Sequence, residues 1–141
     1  MSSTTSSSAD QYDEIDNILR KVLNEFTDLE LAILFGSVAK GQARVDSDLD
    51  IAVLAKKTLS ADEQIHIISA LAEATGRPID LIDLKVTGVP LLGQILKHGR
   101  RLFGSDTLYG QLISRNLFDQ ADFMPYRNRI LAERRALWIG K

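Results

Sequence analysis

The chain has 141 residues, enough for one domain with a hydrophobic core, and its 45% of hydrophobic residues is typical of a globular protein. The formal net charge is −2, so the overall charge does not attract nucleic acid, and we expect no direct nucleic-acid partner. Cysteine is absent and no apolar run reaches membrane-spanning length, so we expect a cytoplasmic protein without a membrane partner.

The polar N-terminus leads into a predicted helix. Residues 1–8 lack the apolar centre of a secretion signal, and we expect them to form a disordered tail. Ser8 and Gln11 have the spacing of a capping box, and apolar residues then recur at helical intervals as far as Phe26. This pattern predicts a helix whose apolar side packs on the core.

Four short apolar runs in the middle of the chain predict strands. They lie at residues 30–35, 49–55, 78–84 and 101–103. Pro78 opens the third run, which favours an edge position because proline has no N–H to donate to a neighbouring strand. The fourth run is also short enough for an edge strand.

Two helices are predicted between these strands. Ser60 and Glu63 have capping-box spacing, and Gly76 is placed to end the helix that they begin. Pro90 begins the second helix, which ends at Gly99. Strands that alternate with helices predict an α/β or α+β layer, in which helices cover a sheet.

The chain changes character after residue 104. Apolar residues from Leu108 to Phe118 predict another helix, which Pro125 kinks or restarts. A basic and aromatic group follows, made of Tyr126, Arg127, Arg129, Arg134, Arg135 and Trp138. Residues 105–141 are therefore a C-terminal helical extension, which either packs in the same domain or forms a partner-binding arm, because such residues anchor interfaces.

A motif whose residue types are suited to binding a metal ion joins the first two strands. Gly36 and Ser37 end the first strand, and Asp48 and Asp50 begin the second after ten intervening residues. Side chains on a strand alternate, so the two aspartates point the same way. A divalent cation would relieve their repulsion, and their hard oxygen ligands suit Mg²⁺.

The glycine and serine favour a phosphate beside that cation. Gly36 lets the backbone approach a ligand closely, and Ser37 lies where a helix could begin with its N–H groups turned outward. An ordinary polar turn would explain Asp48 alone. It would not explain Asp50, which lies at the mouth of a buried strand where a carboxylate needs a partner. The combination predicts a nucleotide site.

This arrangement of Gly-Ser, ten residues and Asp-x-Asp between two strands resembles the nucleotidyltransferase superfamily that includes DNA polymerase beta. The resemblance covers roughly residues 29–104. It implies a polymerase beta-like fold, with a small mixed sheet flanked by helices, and a nucleotidyltransferase domain at residues 9–104.

The third strand offers two candidates for a third carboxylate. Asp80 and Asp83 are an odd number of positions apart, so they face opposite sides of the sheet, and parity alone does not choose between them. The resemblance favours Asp80, because residues 79–82 match the hydrophobic-Asp-Leu-hydrophobic element of minimal family members. Asp83 is then expected to be a strand-end or capping residue.

Two basic residues lie between the glycine-serine pair and the aspartates. Lys40 and Arg44 are each able to contact a triphosphate as a positive charge. A solvated loop charge explains each of them equally well, so both readings stay open.

The size of the chain and its core pattern resemble the minimal nucleotidyltransferases that serve as antitoxins of HEPN-domain ribonuclease toxins. The resemblance implies transfer of AMP from ATP to a tyrosine of a cognate HEPN toxin, with two Mg²⁺ ions held by Asp48, Asp50 and Asp80. It also implies a hetero-oligomer with that toxin. Three other functions stay open: adenylylation of a small molecule of the aminoglycoside type, nucleotide binding without transfer, against which the three intact acids speak, and neutralisation of the toxin by binding alone.

Overall fold

The structure, a computed structural model, describes residues 8–39 and 47–121. Its strands are β1 (Leu29–Phe35), β2 (Leu49–Ala55), β3 (Ile79–Asp83) and β4 (Arg100–Phe103). They form one sheet in the order β3-β2-β1-β4, in which β1 is antiparallel to β2 and to β4, whereas β2 and β3 are parallel. The four predicted strands and the mixed sheet are confirmed, with β3 and β4 at its edges.

Helices cover both sides of this sheet. They are α1 (Ser8–Leu23), α2 (Gly36–Ala39), α3 (Ala61–Thr75), α4 (Leu91–His98) and α5 (residues 106–121). The predicted capping box is present at α3, where Ser60 and Glu63 exchange two hydrogen bonds of 3.1 Å, and Gly76 ends that helix in a left-handed conformation. None of the helices in the described ranges is both long and apolar enough to cross a membrane.

Both ends of the chain extend past what the structure describes. The predicted tail, except Ser8, lies outside the described residues, as does the basic and aromatic group after residue 121. The predicted capping contact of Ser8 with Gln11 lies outside the described side chains. The predicted helix after residue 105 is confirmed as α5, and its buried Leu112 packs in the core beneath the sheet.

Helix α1 is shorter than its apolar pattern predicts. The helix ends at Leu23, and Phe26 lies in a turn where its N–H donates to the Leu23 carbonyl at 3.1 Å. The Phe26 carbonyl then accepts from the N–H of Leu29, the first residue of β1. Phe26 still packs against the core, so its apolar spacing reflects burial after the helix has ended.

The two faces of the sheet have separate cores. The first face packs against α1 and α3 through residues such as Leu19, Leu71 and Ile51. The second face packs against α4 and α5 through Ile95 and Leu112. Because side chains alternate along β2 and β3, every residue of these strands is assigned to one face or the other.

An ion pair with a buried carboxylate joins three elements at the β4 edge of the sheet. Arg100 on β4 donates hydrogen bonds of 2.8 and 2.9 Å to the two carboxylate oxygens of Asp16 on α1. It also donates to the carbonyl of Ala39, the last residue of α2, at 3.4 Å. Asp16 is only 3% exposed. This pair therefore fixes α1 and α2 to the edge of the sheet.

We expect Asp16→Asn to lower the free energy of unfolding by about 1–3 kcal/mol, because part of the Arg100 guanidinium loses its charged acceptor. Asp106→Asn is the matched control, since Asp106 also lies 2.8 Å from an arginine, Arg101, but its side chain is 95% exposed. The control should lose less than about 1 kcal/mol. Urea denaturation measures both variants, and equal losses would contradict the role given to the buried pair.

Candidate active site

The register of β2 and β3 brings two of the predicted carboxylates together. Asp50 and Asp80 are direct partners in the parallel pairing of the two strands, and their carboxyl groups are within hydrogen-bonding reach of each other. Both belong to the second face, because their neighbours on alternate positions, Ala52 and Ile82, pack in the core below α4. Asp48 precedes the strand, is exposed, and acts electrostatically on Asp50.

The pKa of Asp50 is raised above its ordinary value. The largest cause is partial burial, which disfavours the charged form. The negative charge of Asp80, a hydrogen bond with Asp80 and, more weakly, the charge of Asp48 raise this pKa further. In the window between the ordinary and the raised pKa, the folded chain keeps a proton that the unfolded chain has released. The free energy of unfolding therefore falls as pH rises through that window.

Such a group of carboxylates fits a divalent cation. Its donors are hard oxygen atoms, which Mg²⁺ prefers, and a positive charge beside them would offset the burial and the repulsion that together raise the pKa of Asp50. The described ranges contain no group of three or more His, Cys, Asp or Glu side chains already arranged around a metal position. The structure thus pairs Asp50 with Asp80 and leaves Asp48 farther out.

Gly36 lies directly over this pair. It follows Phe35, the residue of β1 that pairs with Asp50, and its φ of +77° lies in the left-handed region that favours glycine. A Cβ atom at this position would overlap the Asp50 carboxylate. The site therefore requires a glycine here for two reasons, namely its backbone conformation and the space beside the carboxylate.

The other predicted nucleotide contacts are less fully described. Ser37 lies in α2, directly after Gly36, but its side chain lies outside the described part of the structure. Lys40 and Arg44 belong to residues 40–46, which also lie outside it. Their proposed contacts with a triphosphate stay predictions.

Asp83 faces the opposite side of the sheet and has a different environment. One of its carboxylate oxygens accepts from the N–H of Leu59 and the other from the N–H of Lys85, each at 2.9 Å. The residue is 8% exposed. Asp83 therefore holds the loop before α3 and the end of β3, and it does not face Asp50.

Sequence reasoning missed one residue next to the site. Arg77, just before β3, donates from Nε to the carbonyl of Ser47 at 2.9 Å. Ser47 immediately precedes Asp48, so the guanidinium lies beside the segment that carries the first aspartate. No periodicity or motif indicates a contact between residues 30 positions apart, and only the parallel pairing of β2 with β3 makes it possible.

A cavity of about 300 Å³ lies away from the carboxylates, between the end of α1 and the start of α3. Its apolar floor includes Phe26, Leu29 and Ile67, and its rim includes Glu25 and His66. None of the three aspartates lines it. The case for a nucleotide site therefore depends on the carboxylate geometry, and this cavity has no part in it.

Comparison with known proteins identifies the family. Residues 17–108 match the model of the family described as polymerase beta, nucleotidyltransferase. The chain belongs to this family. The predicted polymerase beta-like fold is thereby confirmed, and the matched residues contain Gly36, Asp50 and Asp80.

Individual relatives are more specific. The chain is 33% identical over 90 residues to protein adenylyltransferase MntA of Shewanella oneidensis, an alignment that covers 64% of this chain and 65% of MntA. The aligned part thus spans just under two thirds of that relative. A crystal structure of a toxin–antitoxin with AMP-PNP is similar with a TM-score of 0.75 and 28% identity, over 84% of this chain and 96% of that one.

A second solved structure contains a tri-AMPylated Shewanella oneidensis HEPN toxin in complex with an MNT antitoxin. The similarity has a TM-score of 0.72 and 26% identity, over 86% of this chain and 97% of the matched chain. The predicted resemblance to minimal nucleotidyltransferases of toxin–antitoxin systems is confirmed.

The two aspartates of β3 should differ in their effect on stability. We expect Asp83→Asn to lower the free energy of unfolding by about 1–3 kcal/mol, because an amide offers only one acceptor oxygen to two N–H donors, of which that of Leu59 is buried. Asp80→Asn should leave the stability unchanged or raise it, because it removes a like charge beside Asp50. Urea denaturation without divalent cations measures both. A larger loss for Asp80→Asn would show that the two environments are assigned wrongly.

Proposed function

We propose that this chain is an antitoxin that transfers AMP from ATP to a tyrosine hydroxyl of a cognate HEPN ribonuclease toxin and thereby neutralises it. The observation that carries the proposal is the pairing of Asp50 with Asp80 beneath Gly36, in a chain of the nucleotidyltransferase family. Its similarity to MntA, and to an MNT antitoxin in complex with a tri-AMPylated HEPN toxin, supports the protein substrate.

Three aspartates would hold two Mg²⁺ ions in this proposal. Asp48, Asp50 and Asp80 would supply oxygen ligands, and a cation there would offset the burial of Asp50 and the neighbouring negative charges that raise its pKa. When bound, such ions lower the pKa of an attacking hydroxyl and neutralise charge on the triphosphate. Gly36 has no side chain, and this leaves room for the Asp50 carboxylate against the end of β1.

The transfer itself is a substitution at the α-phosphorus of ATP. The tyrosine oxygen forms a bond to this phosphorus, while the bond from the phosphorus to the oxygen that bridges to the β-phosphate breaks. Pyrophosphate leaves with that electron pair. A carboxylate oxygen of Asp80 accepts the hydroxyl proton, since Asp80 is exposed and therefore open to an approaching side chain.

Contacts outside the carboxylates would hold the rest of the substrates. Ser37, Lys40 and Arg44 would contact the triphosphate, since they lie between the end of β1 and the aspartates. Residues 122–141 would contribute to a hetero-oligomer with the toxin through their basic and aromatic side chains. Both partners would act in the cytoplasm.

We expect the double variant Asp48→Asn, Asp50→Asn to lose transfer by at least about 10²-fold, because it removes two of the proposed metal ligands. The variant should stay folded, because the change relieves repulsion between the carboxylates. The control is Asp62→Asn with Asp106→Asn, which removes two exposed charges far from the site. Each protein is incubated with ATP, Mg²⁺ and a candidate HEPN toxin, and the intact mass of that toxin is recorded.

The outcomes separate the candidate functions. Additions of AMP to the HEPN protein by the wild type and the control, but not by the double variant, support the proposal. A HEPN protein that is neutralised without any added mass would favour binding alone. Transfer to an aminoglycoside without a protein partner would favour a small-molecule enzyme. Full transfer by the double variant would contradict the carboxylate mechanism.

A further inference from the structure

The backbone of Asp48 is fixed from both sides by one short segment. The carbonyl of Ser47, in the peptide before Asp48, accepts from Nε of Arg77 at 2.9 Å. The N–H of Leu49, in the peptide after Asp48, donates to the carbonyl of Pro78 at 2.9 Å. Peptide groups are planar, so holding both of these peptides limits the two backbone torsions of Asp48.

Arg77 is itself held in place. Its N–H donates to the hydroxyl of Thr75 at 3.3 Å, and its side chain is partly buried. The proline that follows favours an extended backbone at Arg77, which directs the chain into β3. Asp80 comes three residues later and pairs with Asp50. The same segment therefore presents Asp80 and holds Asp48.

We propose that Arg77 is a positioning residue of the carboxylate site, whose guanidinium orients the peptide before Asp48 so that Asp48 faces the same cation as Asp50 and Asp80. The inference rests on the proposed function, because it assumes that the three carboxylates bind Mg²⁺ together with ATP. Asp48 has particular need of such support, since it is exposed and lies before the first residue of β2.

The chemistry of arginine suits this role. Its planar guanidinium donates in fixed directions, whereas the ammonium of lysine is a flexible point charge. The hydrogen bond also joins a cation to the carbonyl next to Asp48, in a region where Asp48, Asp50 and Asp80 carry like charges. A lysine at this position would keep the charge but would define the orientation of the peptide less well.

A positioning role and a merely structural role differ in one measurable quantity. Loss of a structural link would lower the free energy of unfolding and leave the Mg²⁺ requirement of the folded protein unchanged. Loss of a positioning residue would raise the Mg²⁺ concentration at which ATP binding is half-maximal. Calorimetry with ATP at graded Mg²⁺ concentrations measures this requirement for the full chain, and no partner is needed.

We expect Arg77→Met to raise the required Mg²⁺ concentration by about 10–100-fold, the usual effect of losing a residue that orients a metal ligand. Arg77→Lys should give a smaller rise, because an ammonium is able to donate one hydrogen bond to the Ser47 carbonyl. The matched control is Arg101→Met. Arg101 also donates to a backbone carbonyl, that of Ser105 at 3.2 Å, but it lies on β4 at the opposite edge of the sheet. Its variant should bind as the wild type does.

An unchanged Mg²⁺ requirement in Arg77→Met would overturn the inference. If that variant does not fold, Arg77→Lys decides: a requirement above that of the wild type supports the inference, and an equal one overturns it. A rise of the same size in Arg101→Met would also overturn it, since the effect would not be local. A wild type without any Mg²⁺-dependent ATP binding would instead refute the proposed function, together with the inference that rests on it.

Discussion

Repulsion between the carboxylates of Asp50 and Asp80 is the constraint on which this end of the sheet depends. Parallel pairing of β2 with β3 places the two groups side by side, and partial burial of Asp50, the largest cause of its raised pKa, adds to the cost of its charge. Like charges that face each other across strands destabilise a sheet. The arrangement therefore weakens the fold, and a cation bound beside the two carboxylates would relieve this cost.

The surrounding structure holds this unfavourable arrangement in place. Gly36 turns the end of β1 over the pair without a side chain that would displace Asp50. The buried pair of Asp16 with Arg100 anchors the other end of α2, so the glycine turn is supported from behind. On the opposite side, Arg77 holds the segment before β2. Rigid support of this kind is what a site needs if its ligands are to converge on one position.

The sequence predicts most of the fold because its signals are local. The cap at Ser60, the left-handed end at Gly76 and the strand runs all depend on neighbouring residues. The alternation of side chains along β3 places Asp80 and Asp83 on opposite faces of the sheet. It does not tell which of them faces Asp50, because that depends on which face of β3 meets α3. The contact between Asp16 and Arg100 joins residues 84 positions apart, and the contact between Arg77 and Ser47 joins residues 30 positions apart. No local pattern encodes either contact.

The central claim is that Asp50 and Asp80 form a pair of carboxylates that binds a cation. The most direct measurement follows the carboxyl carbon of each aspartate by nuclear magnetic resonance as pH is varied, first without divalent ions and then with Mg²⁺. We expect the pKa of Asp50 to lie above the ordinary aspartate value without Mg²⁺ and to fall when Mg²⁺ is added, because the ion favours the charged form. An Asp50 with an ordinary pKa that does not respond to Mg²⁺ would contradict the claim.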